Sequence, residues 1–190
     1  MLLKVNQSVD HGFDAPIGLL GDCHRRVERF LGILVTVTRN WRGQPLPPSD
    51  LAALEQARRY FEVAGPKHTA DEEVSLYPRL ERSADEGVRA VLKIMRALET
   101  DHRAAESLHA SSDALIRRWI QHGSLSIEDA AALSGNLDQL AGIYGRHIEI
   151  EDTEVFPAAA RALSPSEIEE IGREMAARRN VPYLPPVDVR

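Results

Sequence analysis

Five of the seven histidines in this chain are followed, four positions on, by an acid. The pairs are His24 with Glu28, His68 with Glu72, His102 with Glu106, His109 with Asp113 and His147 with Glu151. With 29 acids among 190 residues, chance supplies about one such pair. On a helix, a spacing of four sets both side chains on one face, about 40° apart. A surface ion pair favours the acid before the base; here the histidine leads. The pairs also lie on apolar stripes: His24 with Leu20, Leu31 and Val35; His68 with Ala64 and Phe61; His102 with Met95, Leu98 and Ile116; His147 with Leu140 and Ile143. A buried carboxylate is costly unless paired or bound to metal. One such pair on each of four inward-facing helices points to a metal site, the alternative being a hydrogen-bonded polar core.

The rest of the chain reads as helix. Asp14-Ala-Pro16 resembles a cap followed by a first-turn proline. The stripe Ile17, Leu20, His24, Val27, Leu31, Leu34, Thr38 then predicts a helix from Pro16 to Trp41. The β-branched run Ile33 to Thr38 argues locally for a strand, but the longer stripe outweighs it. Gly43 to Pro48 is a breaker. Ser49 is expected to cap a second helix towards Arg82, kinked or split at Gly65-Pro66. A third helix is predicted from Asp85 to Gln121. Ser126-Ile-Glu-Asp129 resembles a capping box opening a fourth, to Leu163. Ser164-Pro-Ser-Glu167 opens a short fifth. The expected fold is all-α: an up-down-up-down four-helix bundle over residues 14–163, an N-terminal arm over 1–13, and a short helix with an extended proline-rich tail over 164–190.

At this point the residues resemble a known family. The elements are His24 on the first helix, His68-Thr-Ala-Asp-Glu72-Glu73…Leu76-Tyr-Pro78 on the second, Asp101-His102 on the third and His147-Ile-Glu-Ile-Glu151…Val155-Phe-Pro157 on the fourth. Together they resemble the hemerythrin-like (HHE cation-binding) proteins over residues 14–163. The resemblance implies two iron ions, oxo- or hydroxo-bridged, inside the bundle. It implies bridging carboxylates at Glu72 and Glu151 and terminal histidines at His24, His68, His102 and His147. Oxygen carriers of the family have a second histidine four residues after the first on the third helix. Here that position is Glu106, so the expected set is four histidines and three carboxylates. Anionic oxygen ligands favour the ferric state, which predicts poorer reversible oxygen carriage. Related bacterial members are associated with peroxide, nitric oxide or iron handling. The expected ligand is therefore O2, H2O2 or NO, with an enzyme, a sensor and an iron store all open.

Several other residues were candidates for lesser roles. Glu28 and His109 are possible additional ligands or outer partners, and Glu73 reads as surface or outer support. Tyr60 and Tyr144 read either as hydrogen-bond donors near the metals or as core packing, Cys23 as a buried small residue, and Glu154 as a solvated or arginine-paired acid or one lining the entry. A ferritin-like carboxylate site needs an ExxH motif on each of two helices; Glu99…His102 and Glu106…His109 share one helix. A zinc site needs only three or four ligands rather than seven. The chain carries 23 basic and 29 acidic residues, with the basic pairs scattered, so no nucleic-acid footprint is expected. The longest uncharged apolar run, Phe30 to Thr38, is too short for a membrane span. Without a signal-like leader and with a single cysteine, a cytoplasmic location is expected.

Overall fold

Local chemistry sets the helix boundaries in the computed structural model, which describes residues 10–184. Helix α1 (Pro16–Trp41) has proline in its first turn and ends at Arg42, in the left-handed region at φ 47°. Its N-cap is Ala15, without a side-chain bond, so Asp14 does not cap as expected. The β-branched run is helical throughout. Helix α2 spans residues 48–82 and begins at Pro48 behind Pro47 rather than behind a Ser49 cap. It is interrupted after Val63, where Gly65-Pro66 starts a new turn, as their chemistry predicts. Helix α3 (Glu86–His122) is capped by Asp85, whose carboxylate accepts the Val88 N–H, and closes at Gly123 with φ 75°. Helix α4 spans residues 127–162, capped by Ser126 through the Asp129 N–H. Helix α5 (Pro165–Arg178) carries the Ser164/Glu167 capping box.

A second interruption was not foreseen. Within α2, Asp71–Leu76 is a π-helical turn; within α4, Glu151–Val155 is another. The Tyr77 N–H donates to the Glu72 carbonyl and the Phe156 N–H to the Glu151 carbonyl, each five residues back. Pro78 and Pro157 follow directly. A proline ring cannot donate to, and clashes with, the carbonyl four residues earlier. Widening the preceding turn relieves that clash at Val74 and Thr153.

The core shows how the helices run. One apolar cluster holds Leu20, Leu76, Leu80, Val88, Met95, Leu98, Val155 and Phe156, with Ile171 and Met175 of α5. The other holds Leu31, Leu34, Leu54, Ile116, Trp119, Leu133 and Leu140. Along α1 the first cluster precedes the second; along α2 the order reverses; α3 and α4 repeat the alternation. This is the up-down-up-down order. Between the clusters, at the same level on all four helices, lie His24, Glu72, His102, His147 and Glu151. Among the described residues there is no strand, and no helix is long and apolar enough to cross a membrane.

Candidate metal centre

Burial at this level is nearly complete. Glu72 and Glu151 have 0% exposure, and His24, His68 and His147 are also buried. The ring nitrogens that face inward meet carboxylate oxygens. His68 Nε2 lies 3.2 Å from Glu72 Oε1, and His24 Nε2 3.7 Å from the same oxygen. His102 Nε2 lies 3.3 Å from the other Glu72 oxygen. His24 Nε2 and His147 Nε2 lie 3.1 Å and 3.0 Å from Glu151 Oε2. Two groups of donor atoms result: His24, His68 and Glu72, and Glu72, His102, His147 and Glu151. Glu72 belongs to both.

Several of these inward atoms have no hydrogen-bond partner: both Glu72 oxygens, Glu151 Oε2, His24 Nε2 and His147 Nε2. Buried polar atoms are rarely left so. A cation would satisfy all of them at once, which a hydrogen-bonded polar core does not. Imidazole and carboxylate are also the donor mixture that suits first-row metals.

Two of the outer nitrogens are held by acids. His24 Nδ1 meets Asp152 at 2.7 Å, and His102 Nδ1 meets Glu73 at 2.7 Å. Asp101 stands 3.7 Å from His147 Nδ1. Arg25 in turn donates to Asp152. Such carboxylate–histidine pairs orient a metal-binding ring and raise its basicity. Sequence reasoning did not single out Asp152 and left Glu73 at the periphery. The signal was present: an acid directly follows both Glu72 and Glu151, and in each case it grips a histidine of another helix. The Tyr77 hydroxyl donates to Glu151 Oε1 at 2.5 Å, and the Phe156 ring stacks on His24, centroids 5.1 Å apart. Each half of the H-x-x-x-E repeat thus supports a ligand position outside its own pair.

The charges are balanced accordingly. Burial alone would depress His24, but Asp152, Glu151 and Glu72 raise its pKa to about 11. His102 is likewise opposed by burial and raised by Glu72 and Glu73, to about 9. Burial acts to raise Glu72, but the charge on His68 and the nearby His102 and His24 imidazoles hold it below the usual carboxylate range. These imidazoles carry protons that a bound cation must displace.

Residues 15–159 match the family described as hemerythrin HHE cation binding domain. The chain belongs to that family. A protein of Haemophilus influenzae described as uncharacterized is 29% identical over 170 residues, covering 89% of this chain and 92% of its own length.

Other expected residues fall outside the two groups of this HHE domain. Glu106 is exposed and stands on the wall of a neighbouring cavity. Glu28 makes a surface ion pair with Arg25 at 2.9 Å. His109 stacks on Phe61 and bonds Tyr144. Tyr60 packs on Phe30, and Glu154 is exposed. Cys23 is buried and accepts a bond from Arg26.

Proposed function

We propose that this domain binds two iron ions and presents them to a small ligand: O2, H2O2 or NO. The observation that carries the reading is the set of buried, partnerless donor atoms on Glu72, Glu151, His24 and His147. In this reading Glu72 bridges the two ions, since its two oxygens face different histidines. Glu151 is the second bridging carboxylate, with Tyr77 fixing its other oxygen. His24, His68, His102 and His147 are terminal ligands. When bound, the irons supply Lewis acidity and electrons to the ligand. The protein's share is to orient the His24 and His102 rings through Asp152 and Glu73, and to exclude bulky molecules by its apolar walls. Glu106, the seventh of the expected set, is exposed on the wall of the neighbouring cavity and would join only by turning inward. Glu106→Gln would then retain about one iron instead of two, whereas full retention removes Glu106 from the set.

Metal analysis of protein from iron-replete cells tests the reading, together with an optical spectrum in the near ultraviolet. Two irons per chain, lost in His147→Ala and Glu151→Ala, are expected. Folded protein without stoichiometric iron refutes it. Turnover of peroxide or nitric oxide by the loaded protein would make it an enzyme, and metal yielded to a chelator without unfolding would make it a store.

One feature favours a sensor as the second reading. Asp71, beside Glu72, is fully buried and held at 2.7 Å by both Arg178 and Arg179 at the end of α5. Loading at Glu72 would then alter the docking of α5. Iron-dependent protease sensitivity of that helix, without turnover, is the expected sign.

A further inference from the structure

A cavity of about 330 Å³ lies against the centre, with His24, His68, His102 and His147 on its walls. Among the further polar side chains that line it are His109 of α3 and Tyr144 of α4, which the proposed ligand set does not use. They meet each other, His109 Nε2 lying 3.0 Å from the Tyr144 hydroxyl. Phe61 stacks on the His109 ring with centroids 4.4 Å apart and planes 27° from parallel, which fixes the ring's orientation.

Both groups are neutral at physiological pH. Burial lowers His109 to about 4. Burial, reinforced by the negative charge of Glu72, pushes Tyr144 above the usual phenol range. A neutral imidazole has one donor nitrogen and one acceptor. Either tautomer fits the 3.0 Å contact; in the one this inference requires, with its hydrogen on Nε2, His109 donates to the Tyr144 oxygen. The Tyr144 O–H is then left without an acceptor among the described residues, on the wall of a cavity. Val27, Ala105 and Ile148 line the same space on the side of the pair, with Glu73, Glu106 and the Arg103 cation also on its walls. In such surroundings a single donor counts for more than in water.

The geometry points to a ligand-binding role for this pair: Tyr144, positioned by His109, donates a hydrogen bond to a small anion held in the cavity beside the metal-binding imidazoles. The inference rests on the di-iron reading above and gives that site a ligand class, small anions and ligands that gain negative charge on binding. Tyr144 is the contacting residue; His109 is a positioning residue.

Azide is the probe. Tyr144→Phe, which removes one oxygen and leaves the packing, should bind azide to the iron-loaded protein about tenfold more weakly. The azide stretching band should shift between H2O and D2O in the wild type and lose that shift in the variant. His109→Leu should weaken binding similarly, and His109→Gln, whose amide can still donate to Tyr144, should restore most of it. In metal-free protein, nitrogen NMR should find the His109 hydrogen on Nε2; a hydrogen on Nδ1 reverses the bond and overturns the inference with no metal involved. Iron content separates the two levels. Failure of the wild type to take up two irons refutes the di-iron reading. Full loading, with azide affinity and band unchanged in Tyr144→Phe, refutes the role of the pair alone.

Discussion

His109 gives the protein a pH-dependent stability whose size follows from its surroundings. The ring is stacked on Phe61 and bonded to one hydroxyl, with no acid to stabilise its charged form, and burial lowers its pKa from 6.5 to about 4. An unfolded chain binds a proton here below about 6.5, whereas the folded chain refuses it until about 4. The stabilisation is therefore complete above 6.5 and is lost as pH falls towards 4. At pH 5 the loss is at most ~2 kcal/mol, and partial solvent contact reduces it to ~1 kcal/mol or slightly more. His24 and His102 act in the opposite sense. Their raised values make their contribution complete below 6.5 and lost as pH climbs through about 9 and about 11, so acidification from pH 7.5 strengthens them. Glu72, Glu151 and Glu174, all lowered, contribute fully above the ordinary carboxylate range and lose that contribution only as pH falls below it. The wild-type profile mixes these effects; a difference between proteins isolates one. Urea unfolding of metal-free wild type and His109→Gln at pH 7.5 and 5.0 should show the variant resisting acidification better by ~1–2 kcal/mol. Equal changes in the two proteins would refute the assignment of a neutral buried ring.

Three further outcomes are expected. Asp71→Ala leaves Arg178 and Arg179 without their buried acceptor and should cost ~3 kcal/mol by chemical denaturation, with faster hydrogen exchange in α5; an unchanged midpoint would show that the clamp contributes nothing. Asp152→Asn removes the charge behind His24 and should weaken iron binding about 10- to 100-fold in chelator competition, leaving the unfolding midpoint within ~1 kcal/mol of wild type. Pro157→Ala restores the N–H that a regular α-helix needs at Thr153, so residues 151–157 should gain exchange protection while iron affinity falls; undiminished affinity would show that the π turn is dispensable.

Much of this site was legible because helical spacing is rigid. Once His68 and Glu72, or His147 and Glu151, are four apart on an apolar stripe, their shared face follows from geometry. The breaks at Gly65-Pro66 and Gly123 were equally local, since each depends on what one or two residues can adopt. The π turns were not read, although Pro78 and Pro157 each stand six residues after the carboxylate. A proline inside a helical pattern can kink it, end it or widen the turn before it, and only the tertiary position of Glu72 and Glu151 selects the last. Asp152 was missed, and Glu73 left between surface and outer support, for a related reason. Helical phase places Glu73 about 100° from Glu72, which looks outward from α2 alone but faces His102 once α3 is alongside. Glu106 shows the converse, on the expected face by spacing yet exposed in the bundle.

The crossed supports, Tyr77 reaching Glu151 and Asp152 gripping His24, have a bearing on synthesis. No contiguous stretch of this polypeptide contains a finished chelator. A ribosome that has released only the first three rods has made the residues of one donor group, but neither Asp152, the partner of His24, nor Glu151. In the reading proposed above, the second of the two donor groups therefore waits for the last long rod to dock, since His147 and Glu151 both stand on it.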